Sequence, residues 1–325
     1  MQDEQDVKAA TAAEATDRDS WLERIEEIGE DAGYFEPLGQ SHWAFFCDEG
    51  TTLLVTFENM EAILARGGNR MPLGHGVAAR NGWSHLCLIA EGNTWYRDHR
   101  VWGYLDRLVD EAFFEDFDRV VFYGAGMGGY AACAFSVAAP GATVLAISPR
   151  ATLAPALAGW DRRHLSARGL DFSSRYGYAP DMIDGAGRVY LLHDPAQPMD
   201  AMHAALFRKP FVTMLRGTHA GARPDDMLDR LGLLDGLIEA AAAGTLDRAG
   251  FARLWRARRN SGAWLKNLSN HLGQSRHPLR EALFYRAALG RMGSGRFQRR
   301  LDSLTARLEA EGIELPPPLD GPAGD

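Results

Sequence analysis

Four glycines packed into six positions, Gly124, Gly126, Gly128 and Gly129, mark the part of this chain most able to do chemistry. They follow the β-branched and aromatic run 119–123 and precede a helix-like segment that opens near Tyr130, so they sit on a strand-to-helix turn. A turn of this kind that carries an attacking serine reads G-x-S-x-G, with glycines on both sides because strand and helix approach too closely for side chains. The flanking glycines stand at 124 and 128, and the serine slot holds Gly126. Such a turn offers a helix N-terminus and bare amides, which suit an anionic or carbonyl-bearing ligand. It offers no hydroxyl.

Other residues bear on whether chemistry survives without that serine. Ser148 ends the next apolar run, where a displaced nucleophile would need a base within hydrogen-bond reach. His219 lies in the glycine-bounded loop 217–221, and Asp194 and Asp200 flank the loop after the run 188–193. Water activated by His219 together with Asp194 or Asp200 is the route open to a serine-independent hydrolase. His193 and His203 lie near these carboxylates, but the spacing fits no metal motif, and no metal is expected. The same glycines also spell Gly124-x-Gly126-x-x-Gly129, a dinucleotide fingerprint. Its next strand ends at Arg150 without an acid for a ribose hydroxyl, so the nucleotide would be NADP. Against that reading, several strands precede the motif, whereas a dinucleotide unit usually opens its domain.

The elements that must hold these residues alternate. Ser20 followed by Glu23 predicts a capping box and a helix ending before Gly33. Apolar runs at 42–47 and 51–57, joined by Asp48-Glu49-Gly50, predict a β-hairpin. A short helix over 60–66, loop over 67–76, a strand over 83–90 and a helix over 101–114 follow. Strands at 119–123, 142–147, 189–193 and 211–215, with a helix over 130–139, point to a mostly parallel sheet covered on both faces. Between the second and third of these, Trp160 to Arg163 and residues 171–181 form an insertion. With Thr94 to Asp98, it would rim the same edge of the sheet. Beyond Met227 the strand signals stop, and helices are expected over 231–243, 249–258, 264–272, 279–289 and 297–310.

A chain of 325 residues, 46% hydrophobic, can bury a large core, and no apolar run is long enough for a membrane span. Cys47, Cys87 and Cys133 are widely spaced in apolar surroundings and read as buried free thiols in a reducing, cytoplasmic setting. The net charge of −8 is uneven. Residues 1–31 hold eleven acidic and three basic side chains, while residues 251–300 hold twelve basic and one acidic. The basic helices could face a protein partner. An acidic chain without a nucleic-acid module is not expected to bind nucleic acid.

Residues 42–235 resemble the α/β-hydrolase superfamily, in particular bacterial members with a Y-G-x-S-M-G-G-Y elbow. Phe122 through Tyr130 matches that pattern except at Gly126. The resemblance implies a base at His219 and an acid from the 194–200 loop, where the usual slot falls on Gln197 between Asp194 and Asp200. It also implies an oxyanion hole from the Met127 amide and a second amide near Asn59. The resulting expectation is a doubly wound α/β-hydrolase-like domain over 20–245 and a helical, arginine-rich region over 246–315. Residues 1–19 and 316–325 are expected to be disordered. The domain would bind a small acyl or anionic ligand through Gly124, Gly126, Met127, Gly128, Asn59 and Ser148, without a cofactor.

Overall fold

The computed structural model describes residues 11–274 and 277–317. Its centre is an eight-stranded sheet: β1 (Gly33–Pro37), β2 (His42–Cys47), β3 (Thr52–Asn59), β4 (Ser84–Ala90), β5 (Arg119–Ala125), β6 (Thr143–Ile147), β7 (Arg188–His193) and β8 (Val212–Arg216). The spatial order is β1-β2-β4-β3-β5-β6-β7-β8. β1 and β2 pair antiparallel, as do β2 and β4, and the pairings from β4 through β8 are parallel. This is the doubly wound, mostly parallel α/β-hydrolase-like architecture expected, with helices following the last strand.

Side-chain alternation along the strands feeds two cores. On one face Val55, Phe57, Phe122 and Val144 pack with Tyr130 and Phe135 of the helix Met127–Phe135 and with Tyr104 and Leu105 of the helix His99–Asp110. On the other, Leu54, Tyr123, Leu145 and Leu192 pack with Leu237 and Ile238 and with Phe251, Trp255, Trp264 and Leu265 of the C-terminal helices. The first helices after residue 247 thus close one face of the sheet. The last two, Pro278–Met292 and Gly295–Ala310, pair with each other through Ala282, Tyr285, Leu304 and Leu308.

The structure departs from expectation in several places. β2 and β3 do not form a hairpin ladder, because β4 lies between them. Both strands are almost wholly buried and need a neighbour on each side. The Asp48-Glu49-Gly50 turn crosses the start of β4 instead, with the Glu49 and Gly50 amides donating to Ser84 Oγ at 2.9 and 3.0 Å. The first helix, Arg18–Ala32, is capped by Asp17, whose carboxylate accepts from the Ser20 amide at 2.9 Å. Residues 11–17 pack on the domain, with Ala12 and Ala15 buried and the Ala12 amide on Asn69 O at 2.8 Å. Residues 1–10 and 318–325, which carry the remaining disorder expectations, lie outside the described residues. β1 and the helices Leu73–Asn81, Pro198–Leu206 and Pro224–Arg230 are additional elements. No helix among the described residues is long and apolar enough to cross a membrane.

Candidate functional site

β5 runs into Gly126 at φ 57°, ψ −112°, and the helix starts at once with Met127. The Gly126 amide donates to Ile147 O of β6 at 2.8 Å, which ties the bend to its neighbour strand. Sterics explain the glycines unequally. A Cβ on Gly124 would lie 2.1 Å from Gly128 O, and one on Gly128 would lie 2.1 Å from Phe57 O. Neither position tolerates a side chain. A Cβ on Gly126 would meet nothing within 4 Å. The slot at the apex is therefore open, and only its positive φ favours glycine.

Above the bend lies a cavity of about 330 Å³. Gly126, Met127 and Gly128 form its floor, Asn59 enters from the end of β3, and Ser148 and Arg150 follow β6. Trp95 and Tyr96 close one side, His164 comes from the insertion between β6 and β7, and Arg66, Arg223 and Asp225 stand on the outer wall. The first amides of the Met127 helix have no intrahelical acceptor, as at any helix start. Four further polar atoms on lining residues are buried without a hydrogen-bond partner among the described residues: Ser148 Oγ, Arg150 Nε, His164 Nε2 and Trp95 Nε1. Buried polar atoms are normally satisfied; Arg150 Nε stands 3.8 Å from the Asp161 carboxylate, and the other three have hydrogen-bonding capacity to spare beside the cavity. Backbone strain gathers at the same place, with Trp95 and Tyr96 at φ 55° and Ser148 at φ 45°.

The surroundings fix these groups firmly. Trp95 packs edge-on against His164 with centroids 4.9 Å apart, and its amide donates to Met127 Sδ at 3.1 Å. Arg97 clamps the insertion by donating to Asp171 O at 2.6 Å and Arg175 O at 2.9 Å. Burial, helped by the charge of Arg150, lowers the His164 pKa, so its ring is neutral near pH 7. Ser148 Oγ and His164 Nε2 both lack partners, so the hydroxyl has no bonded base to activate it.

The residues expected to act on a substrate occupy other positions. Asp194 is fully buried, and its carboxylate accepts from the amides of Ala196 and His219 at 2.9 Å and Gly221 at 2.8 Å. It braces the backbone of the 217–221 loop. Asp200 lies in a buried ionic cluster, 2.7 Å from Arg163 and 3.2 Å from Arg150, which also holds Asp161 and His203. His203 Nδ1 accepts from the Ala151 amide at 3.2 Å, so the other nitrogen carries the proton and donates to Asp161 at 3.1 Å. The His219 ring stands 4.8 Å from the ring of His271 and 6.4 Å from Trp264, and His219 is not among the residues lining the cavity. Ala222 and Arg223, farther along the same loop, are. Of the expected ligand-binding residues, Asn59, Gly126, Met127, Gly128 and Ser148 line the cavity, while Gly124 serves the close packing beneath it.

Trp95, His164 and Arg223 are cavity residues that spacing did not single out as binding groups. Trp95 lay in a rim segment already noted, but nothing local signals the left-handed backbone that turns it inward. His164 and Arg223 reach the cavity only through long-range folding of loops.

No family model matches the chain, and no curated protein does. Among solved structures it is similar to the capsule O-acetyltransferase of Neisseria meningitidis serogroup A, at 11% identity and TM-score 0.40, over 61% of this chain and 92% of that one. It is similar to an esterase domain from a Rhodothermus marinus protein at 15% identity and TM-score 0.35, over 61% and 94% of the two chains. A glycosylation-associated protein complex from Streptococcus agalactiae is similar at 11% identity and TM-score 0.41, over 63% of this chain and 45% of that one. At these scores the similarity says nothing of substrate or activity.

Proposed function

We propose that the chain is an α/β-hydrolase-like protein whose elbow cavity binds a small molecule through a carbonyl or carboxylate group and forms no covalent intermediate with it. The observation that carries this reading is the combination at the bend. Gly126 holds the sharp strand-to-helix conformation over open space, while three buried polar atoms around it, Ser148 Oγ, His164 Nε2 and Trp95 Nε1, lack hydrogen-bond partners. In this reading the Met127 and Gly128 amides, Ser148 Oγ and Trp95 Nε1 donate to the oxygen atoms of the ligand, and the cavity volume limits it to a compact group. Three buried free cysteines fit a protein of a reducing compartment.

A serine-independent hydrolase would need the His219 imidazole within reach of a water over Gly126. The packing of that ring against His271 and the use of Asp194 on backbone amides favour binding over turnover. An NADP site would need Arg150 free for a ribose phosphate. Its guanidinium is buried, bonded to Ser148 O and paired with Asp200, which also favours the binding reading.

Saturation-transfer NMR with butyrate and methyl butyrate tests the proposal on the intact chain. Saturable binding is expected, weakened in Ser148→Ala and in Trp95→Phe. Each substitution removes one donor, about 0.5–1.5 kcal/mol, or roughly a two- to twelvefold loss. Binding that ignores both substitutions, or no binding by either probe, would reject the elbow cavity as the site.

A further inference from the structure

β8 is the outer parallel strand of the sheet, and the helix Arg248–Leu254 and the turn Trp255–Asn260 stand beside it. Between them opens a cleft of about 930 Å³ that shares no lining residue with the elbow cavity. Its polar lining is cationic: Arg208 and Lys209 precede β8, Arg216 ends it, and Arg248 and Arg258 come from the helical side. No carboxylate lines it. Lys209 pairs with Asp184, but among the described residues Arg208, Arg216, Arg248 and Arg258 form no ion pair. On a chain of net charge −8, four unpaired arginines converging on one concave surface focus a local positive potential.

Edge strands often carry cations that discourage pairing with another chain, and that would account for Arg216. It does not account for arginines from the helical side, nor for two buried donors on residues that line the cleft. Trp255 is 4% exposed and its Nε1 has no partner, and Arg258 Nε is buried without one. Arg258 lies over both Trp255 and Trp264, its guanidinium carbon 5.7 Å from the first ring centroid and 5.2 Å from the second. Burial and the neighbouring Arg259 and Arg256 lower its pKa, a sign of positive charge left without compensation. The rest of the wall is apolar, from Val212, Met214, Leu215 and Phe251. The volume lies within the range of small-molecule pockets, about 300–1,000 Å³.

We propose that this cleft is a second binding site, separate from the elbow cavity, for a small molecule that joins a phosphate or diphosphate group to an apolar body. The arginines take the phosphate oxygens through charge-assisted hydrogen bonds, and the apolar wall takes the body. A nucleotide and an alkyl diphosphate share this chemistry.

Isothermal titration calorimetry of the full chain with ATP, with a short alkyl diphosphate and with inorganic pyrophosphate tests the site and separates the two sources. The expected result is saturable one-to-one binding of at least one organic probe, tighter than pyrophosphate and weakened by salt. Arg216 and Arg248 are exposed and unpaired, so Arg216→Glu/Arg248→Glu should fold normally by circular dichroism. It should lose about tenfold or more in affinity. Trp255→Phe, which keeps the ring packing but removes the donor, should weaken the organic probes severalfold. Absence of saturable binding by all three probes, or binding indifferent to the double charge reversal, would overturn the proposal. So would an affinity for single-stranded oligonucleotides that exceeds both organic probes and rises with length, because it would mark an extended polymer groove.

Discussion

Gly126→Ser introduces a hydroxyl at the bend without supplying groups that would activate it. The Cβ enters open space, so the cost is confined to holding a non-glycine residue at φ 57°, about 1–3 kcal/mol. For a chain of this size that corresponds to a fall in Tm of roughly 1–5 °C. Gly124→Ser provides the contrast, since its Cβ would stand 2.1 Å from Gly128 O, backbone that cannot rotate away. Forcing strand and helix apart there should cost about 3 kcal/mol or more. Differential scanning calorimetry of the two variants reads this difference directly. A fluorophosphonate probe then reads the chemistry: Gly126→Ser should remain unlabelled or label slowly, because the His219 ring sits against His271 and Trp264. Equal damage from both variants would refute the steric reasoning. Rapid labelling of Gly126→Ser, abolished by His219→Ala, would refute the placement of the imidazole.

Asp194→Asn should lower stability by about 2–4 kcal/mol by urea denaturation, because an amide cannot accept from three backbone N–H groups as the carboxylate does. Hydrogen exchange should rise across 217–221, and unchanged protection there would contradict the bracing role. Burial lowers the His203 pKa to about 4, the hydrogen bond to Asp161 opposing it only in part. The unfolded chain, titrating near 6.5, therefore binds more protons between those values, and stability falls as pH drops from about 6.5 towards 4. The share of His203 in that loss is about 3 kcal/mol, so His203→Gln should flatten the pH dependence of urea midpoints; an unaltered slope would contradict it. Burial raises the thiol pKa of Cys47 to about 12 and also raises those of Cys87 and Cys133. A thiol-specific disulfide reagent at pH 8 should find no fast-reacting cysteine in the native chain and three in denaturant, and a fast native reaction would place at least one thiol at the surface.

The strands were legible where burial on both faces demands a continuous apolar run, as in β3, β4 and β6. β1 escaped because it is a short edge strand, only partly buried and ended by a proline. The helix Leu73–Asn81 escaped because the residues it buries, Gly74, Val77 and Ala78, are mostly too small to print an apolar stripe. The strand-to-helix bend was legible because backbone collisions at Gly124 and Gly128 leave no alternative to glycine. The cavity above it was legible only in part. Asn59 ends β3 and Ser148 follows β6, so both could be placed by counting, whereas the meeting of His164 with Trp95 depends on how the insertion folds back. The direction of the His219 ring is likewise set from far along the chain. Trp264 Nε1 donates to Thr218 O at 2.9 Å and Asn267 Nδ2 to His219 O at 3.0 Å, so the helix Gly262–Gln274 holds the loop.

Intact-protein mass spectrometry during incubation with p-nitrophenyl acetate, with nitrophenolate release followed in parallel, tests the central claim most directly. Noncovalent binding at the elbow predicts no acyl adduct at any time and no release above buffer. A transient adduct mapping to Ser148, or release that depends on His219, would contradict it.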